Sequence, residues 1–277
     1  MFGGAGVVVG SGERDWGRRF QEHSGMYSLQ GRRETQEDRC VVEEVPAILG
    51  LPPAPPVTLW AVMDGHGGAF CAEFASQHLL AQLSPTVQKL KLLTSKLQPH
   101  HKLQLYEKHF SQAPKCVLKY LQISETEHEK LKENTAANVK DSENVEVVAA
   151  EQELDKKDEN HKKRNKFVST PHRQSKSSKK KNNGTENEVP ITDFIKDSKI
   201  LYPALLKDEI NKFDTWLLEA ARKSNSIGGT TLVLALHDSG NIWLANVGDS
   251  RAVFMSRAGL AVPMSYDHKA TTNITSN

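Results

Sequence analysis

Val57-Thr58-Leu59-Trp60-Ala61-Val62-Met63-Asp64-Gly65-His66-Gly67-Gly68 runs from seven mostly apolar, β-favouring residues straight into an acid, an imidazole and three glycines. The apolar run predicts a strand buried on at least one face. A carboxylate at the end of such a strand must find a cation, hydrogen-bond donors or water. Asp64 and His66 are therefore candidates for chemistry rather than packing. The three glycines let the backbone turn sharply and approach a ligand closely.

C-terminal to this stretch, residues 69–83 lack Gly and Pro and place Phe70, Phe74, Ala75, Leu79 and Leu83 at helical spacing, which predicts an amphipathic helix. Lys89 to Leu97 and Lys102 to Phe110 read as further short helices. N-terminal to it, a loop carrying Pro52, Pro53, Pro55 and Pro56 separates the strand from another at Cys40 to Val45. Order resumes near the other end of the chain. Leu201, Leu205, Ile210, Phe213, Leu217 and Leu218 predict a second amphipathic helix over Ile200 to Ala221. Thr231 to Leu236 and Ile242 to Val247 then flank Asp238-Ser239-Gly240-Asn241, the pattern of a β-hairpin. A further strand is expected at Arg251 to Met255.

Between these zones the composition changes. From Tyr120 to Phe194 the only aromatic residue is Phe167, and Lys, Glu, Asn, Ser and Asp dominate. Such a segment cannot bury enough surface to offset an ordering entropy of about 1 to 2 kcal/mol per residue. It is read as a largely disordered charged insertion at about 122–190, with residues 1–26 as a flexible N-terminal segment.

With 277 residues, 25% charged and a net charge of +2, the chain has the composition of a globular protein, and its charge does not require a nucleic-acid partner. Cys40, Cys71 and Cys116 are odd in number and form no Cys-x-x-Cys pair. A disulfide framework or zinc site is therefore not expected, and a reducing compartment, cytoplasmic or nuclear, fits. The first ten residues lack a basic n-region, Phe2 rather than Gly follows Met1, and no apolar run approaches a membrane span. Neither a signal peptide, myristoylation nor a transmembrane segment is expected.

One more stretch, Gln30-Gly31-Arg32-Arg33-Glu34-Thr35-Gln36-Glu37-Asp38-Arg39, precedes the strand at Cys40. Adjacent residues of a strand face opposite sides, so Glu37 and Asp38 cannot both be core residues. Alone, Arg33, Glu37 and Asp38 read first as a solvated charged edge. Taken in order, however, four blocks resemble the successive signatures of the metal-dependent protein phosphatases, the type-2C family: Arg33-x-x-x-Glu37-Asp38, Asp64-Gly65-His66-Gly67-Gly68, Gly228-Gly229-Thr230-Thr231 and Asn246-Val247-Gly248-Asp249-Ser250-Arg251. Asp267-His268-Lys269 is similar to that family's next block. Residues 27–33 and 245–251 are most similar to the protein phosphatase 1L branch.

The resemblance implies an α+β fold, an α-β-β-α sandwich of two antiparallel sheets flanked by helices. It also implies hydrolysis of phosphoserine and phosphothreonine in protein substrates by a metal-activated water. The cofactor implied is a pair of Mg²⁺ or Mn²⁺ ions, with a third, weaker site, and an oxygen-only donor set suits these hard cations. By the same resemblance Asp64 bridges the two ions, the Gly65 carbonyl completes one shell, Glu37 contacts the second ion, Asp38 fixes metal-bound water and Asp249 helps hold the third ion. Arg33 grips phosphate oxygens through a forked contact, and His66 protonates the departing serine or threonine oxygen. Gly228 and Gly229 read as structural, and Cys71 as a small packed core residue.

The family pattern continues past Asp267-His268-Lys269 with further strands and aspartates that residues 270–277 do not supply. The expectation is a partial domain, a C-terminally truncated form incomplete at its sheet edges and poorer in metal ligands. The alternative function is a catalytically impaired, noncatalytic binding or regulatory protein. Within the insertion, Lys162-Lys163-Arg164 and Lys176-Ser177-Ser178-Lys179-Lys180-Lys181 are compatible with a bipartite signal for an import receptor, or with a solvated linker.

Overall fold

The structure, a computed structural model, describes residues 4–9, 24–132, 189–256 and 258–268. The chain divides into two units, one of residues 1–123 and 190–277 and the other of residues 124–189. In the second unit, residues 125–132 are helical, and the Ser124 hydroxyl accepts the Glu127 N–H at 3.2 Å as an N-cap. The two basic clusters and most of the charged insertion lie outside the described residues.

In the first unit, β1 (Gly4–Val9) pairs antiparallel with β2 (Ser24–Leu29), in a region where the sequence suggested no element before Cys40. β3 (Arg39–Glu44) and β4 (Thr58–Met63) follow, and β4 ends at the two-residue β5 (Gly65–His66). Helix α1 spans Phe70–Thr94, α2 Pro99–His109 and α3 Lys115–Leu121. After a 3₁₀ turn at Ile191–Phe194 come β6 (Ile195–Lys196), β7 (Lys199–Ile200) and the long helix α4 (Tyr202–Lys223). The chain then forms β8 (Gly229–Thr230), β9 (Leu232–Asp238), β10 (Asn241–Val247), β11 (Val253–Met255) and β12 (Ala261–Pro263).

The centre is a four-stranded antiparallel sheet ordered β10-β9-β4-β3. Because β4 lies between two partners, it is buried along nearly its whole length, which explains its almost unbroken apolar run. Leu59, Ala61 and Met63 of β4 and Leu232, Leu234 and Leu236 of β9 share a core with Leu79, Leu83 and Leu90 of α1 and Leu205 and Phe213 of α4. The alternation of strand residues sends these side chains to one sheet face. Each fully buried leucine contributes about 1.5 to 3 kcal/mol. The α+β class, with antiparallel sheets and flanking helices, is as the sequence suggested.

The extent of α1 differs from expectation. α1 does not stop at Leu83 but continues through Pro85 to Thr94, absorbing part of the separate helix expected at Lys89 to Leu97. An internal proline removes one helical hydrogen bond and costs about 3 kcal/mol. Burial of Val87, Leu90, Leu92 and Leu93 beyond it offsets that cost. The β9–β10 turn, in contrast, is where the sequence put it. Ser239 and Gly240 both have positive φ, at 50° and 81°, the signature of a type I′ two-residue hairpin.

Candidate metal and phosphate site

The antiparallel order dictates where the four sequence blocks meet. Arg39 of β3 pairs with Met63 of β4, Val62 of β4 with Val233 of β9, and Val247 of β10 with Leu232 of β9. The residues just outside those pairs are Asp38, Asp64, Thr231 and Gly248. Two strands begin and two end there, so blocks scattered over more than 200 positions of sequence reach one end of one sheet.

Hydrogen bonds fix the turn after β4. The Asp64 carbonyl accepts the Thr231 N–H at 2.9 Å and the Thr230 hydroxyl at 3.2 Å, while the Asp64 N–H donates to Thr231 Oγ1 at 3.1 Å. Thr231 Oγ1 also bonds Ser250 Oγ at 2.6 Å. One hydroxyl thereby joins the Asp64 turn to the Gly248-Asp249-Ser250 turn. Gly65 is a close-approach position, since a Cβ there would collide with the Glu37 carbonyl oxygen and lie 3.1 Å from Ala72 Cβ. Gly67 and Gly68 adopt φ of 69° and 116°, conformations that favour glycine.

The Asp38 and Asp64 carboxyls are brought together. Burial, the Asp64 charge and a hydrogen bond with Asp64 raise the Asp38 carboxyl above its ordinary range, and Arg33 and Arg39 only partly offset this. Two adjacent carboxylates of this kind are relieved by a proton or a cation. The loop carrying Glu37 and Asp38 is held by Arg39, whose Nη1 donates to the Gln36 and Asp38 carbonyls, each at 2.9 Å, and whose Nη2 reaches Glu73 Oε2 in α1 at 3.1 Å.

The remaining candidates are less converged. Glu37 Oε1 accepts the Thr35 hydroxyl at 3.4 Å. Arg33 is exposed in the turn from Gln30, close enough for its charge to act on Asp38. His66 is exposed and registers opposite Gly229. Asp249 is exposed, with its charge felt by Arg251, which is itself forked onto Asp267 at 2.7 and 2.6 Å. Among the described residues, no group of three or more His, Cys, Asp or Glu side chains is placed to hold a metal ion. The Asp38–Asp64 pair beside the Gly65 backbone nevertheless has the hard-oxygen chemistry that Mg²⁺ or Mn²⁺ requires.

Sequence reasoning missed Arg39, Thr231 and Ser250, although all three lie in or beside the quoted blocks. Their roles depend on which strands become neighbours. Cys71 is buried in the first turn of α1, its Sγ 3.1 Å from the Gly228 carbonyl, and burial raises its thiol pKa. It is the packed residue expected.

The sheet, the flanking helices and the acids gathered at the strand ends define an α+β domain with a hard-oxygen site at one sheet end. The Protein phosphatase 2C family matches residues 124–273, more than half of the chain, and the chain belongs to that family. The match includes the Gly228, Gly248 and Asp267 blocks, while Arg33, Glu37, Asp38 and Asp64 lie before it. Protein phosphatase 1L of Bos taurus is 38% identical over 82 residues, 28% of this chain and 23% of that protein. Probable protein phosphatase 2C member 13, mitochondrial, of Oryza sativa subsp. japonica is 37% identical over 89 residues, 32% of this chain and 23% of the relative. Probable protein phosphatase 2C 69 of Arabidopsis thaliana is 40% identical over 83 residues, 30% of this chain and 22% of the relative. The chain thus spans less than a quarter of the length of these curated relatives.

Proposed function

We propose that this chain carries the metal- and phosphate-binding part of a protein phosphatase acting on phosphoserine and phosphothreonine proteins. The observation that carries the reading is the Asp38–Asp64 carboxyl pair at the sheet end, backed by Gly65 and flanked by Arg33. Asp64, Asp38, Glu37 and the Gly65 carbonyl would hold Mg²⁺ or Mn²⁺, with Asp249 at a further, weaker position. Such ions supply an acidified water for attack on phosphorus and positive charge against the phosphoryl oxygens. Arg33 offers a planar fork of N–H donors that can engage two phosphate oxygens together. His66 holds the proton, at an imidazole nitrogen, that the serine or threonine oxygen takes as its bond to phosphorus breaks.

The test is hydrolysis of a phosphothreonine peptide by the purified chain with and without Mn²⁺, together with thermal unfolding under both conditions. The expected result is Mn²⁺-dependent turnover and a raised Tm. In Asp64→Asn, turnover falls by at least about 100-fold and the Mn²⁺ shift in Tm disappears. A folded chain that binds the peptide but neither turns it over nor responds to Mn²⁺ would replace this reading with the noncatalytic one.

A further inference from the structure

At Gly229, the missing side chain is the informative feature. β5 and β8 form a two-residue ladder in which Gly65 opposes Thr230 and His66 opposes Gly229, so the His66 imidazole and any substituent at Gly229 share one face. A Cβ built at Gly229 would lie 2.7 Å from His66 Nε2, 3.0 Å from Cε1 and 3.7 Å from Cδ2. Three ring atoms are thus in contact range of the space directly above this glycine. The ring lies against the strand backbone, with its exposed side toward solvent.

We propose that Gly229 is a positioning residue for His66, setting the height and tilt of the imidazole by leaving the strand bare beneath it. Gly228 supplies the contrast. A Cβ there would meet the His66 carbonyl at 2.6 Å and the Gly67 carbonyl at 2.8 Å, both backbone atoms that cannot yield without distorting the turn. At Gly229 the obstacle is the tip of an exposed side chain, which can rotate away. A methyl group at Gly229 therefore displaces the ring and spares the fold, whereas one at Gly228 damages the fold.

This inference rests on the proton-donor role proposed for His66, and leaving-group chemistry separates the two. A serine or threonine alkoxide is a strong base and leaves poorly without a proton, whereas p-nitrophenolate is a weak base and leaves unaided. The experiment compares the full wild-type chain, Gly229→Ala, His66→Ala and the double variant in Mn²⁺, on a phosphothreonine peptide and on p-nitrophenyl phosphate. Tm is read alongside, and the nuclear Overhauser contact between the His66 ring protons and the Gly229 Hα protons is read in diamagnetic Mg²⁺.

Gly229→Ala is expected to lower kcat on the peptide by about 10- to 100-fold and on p-nitrophenyl phosphate by less than about 3-fold, with Tm retained. In the His66→Ala background the added methyl should change nothing, because the group it acts through is gone. The wild-type chain should show the Overhauser contact. Equal losses on both substrates, full activity in Gly229→Ala, additive losses in the double variant, or no contact in the wild type would each overturn the proposal. If the wild type hydrolyses neither substrate, the phosphatase reading falls, and with it the catalytic meaning of the ring's position.

Discussion

Thr231 carries more of the site than its size suggests. Its single hydroxyl accepts the Asp64 N–H at 3.1 Å and bonds Ser250 at 2.6 Å, while its own N–H reaches the Asp64 carbonyl at 2.9 Å. Thr231→Val keeps the shape and the β-branch but strands the Asp64 N–H and Ser250 Oγ without this partner. Asp64 is exposed and Ser250 half-buried, so the loss of these two hydrogen bonds, each worth about 0.5 to 1.5 kcal/mol net, should cost Thr231→Val about 1 to 3 kcal/mol in urea unfolding. Thr231→Ser should recover most of it, and equal stability in Thr231→Val and wild type would show that the hydroxyl does not tie the two turns. The sequence made Asp64 conspicuous because an acid closing an apolar strand is a local anomaly. A threonine at the start of a strand is ordinary, and Thr231 acquires its role only when β9 aligns with β4. Arg39 was hidden in the same way, since its carbonyl partners are local but Glu73 lies 34 residues away.

α1, β9 and α4 are pinned together at the sheet end opposite the site. Asp238, which closes β9, accepts Lys91 Nζ of α1 at 2.8 and 3.1 Å, the Tyr202 hydroxyl of α4 at 2.8 Å and the Ser239 hydroxyl at 2.9 Å. Burial alone would raise the Asp238 carboxyl, but hydrogen bonds from Lys91, Tyr202 and Ser239 and the Lys91 charge outweigh it and leave the group below its usual range. Burial and the same carboxylate push the Tyr202 phenol far upward, so it stays a donor. A carboxylate depressed in the folded state stabilises fully above its unfolded pKa of about 3.9 and loses that contribution as pH falls through the folded value. Asp238→Asn should therefore cost about 1.5 to 3 kcal/mol near pH 7, with the gap to wild type narrowing below about pH 4. Denaturant unfolding from pH 7 to pH 3 checks this, and a gap independent of pH would rule out the ionised pin. At this scale the hairpin was legible because Ser239-Gly240 encodes its own turn. The length of α1 was not, because Pro85 is a local stop signal overruled by leucines whose burial depends on tertiary packing.

Across the whole first unit, the antiparallel order turns sequence separation into proximity at one sheet end and distance at the other. Alternating strand directions collect Asp38, Asp64, Thr231 and Gly248 at the site, while the same β9 ends at Asp238 on the far side. Seven residue steps at about 3.4 Å each place Thr231 and Asp238 roughly 20 Å or more apart. The two share no hydrogen-bond partner. Changes at residues this far apart without shared partners add to within about 0.5 kcal/mol. The Thr231→Val/Asp238→Asn variant should thus lose the sum of the two single losses in urea unfolding at pH 7, with an unchanged m-value. A coupling above about 1 kcal/mol would mean that β9 transmits strain along its length. In that case, the pin holding α1 and α4 would also tune the turn that carries Asp64.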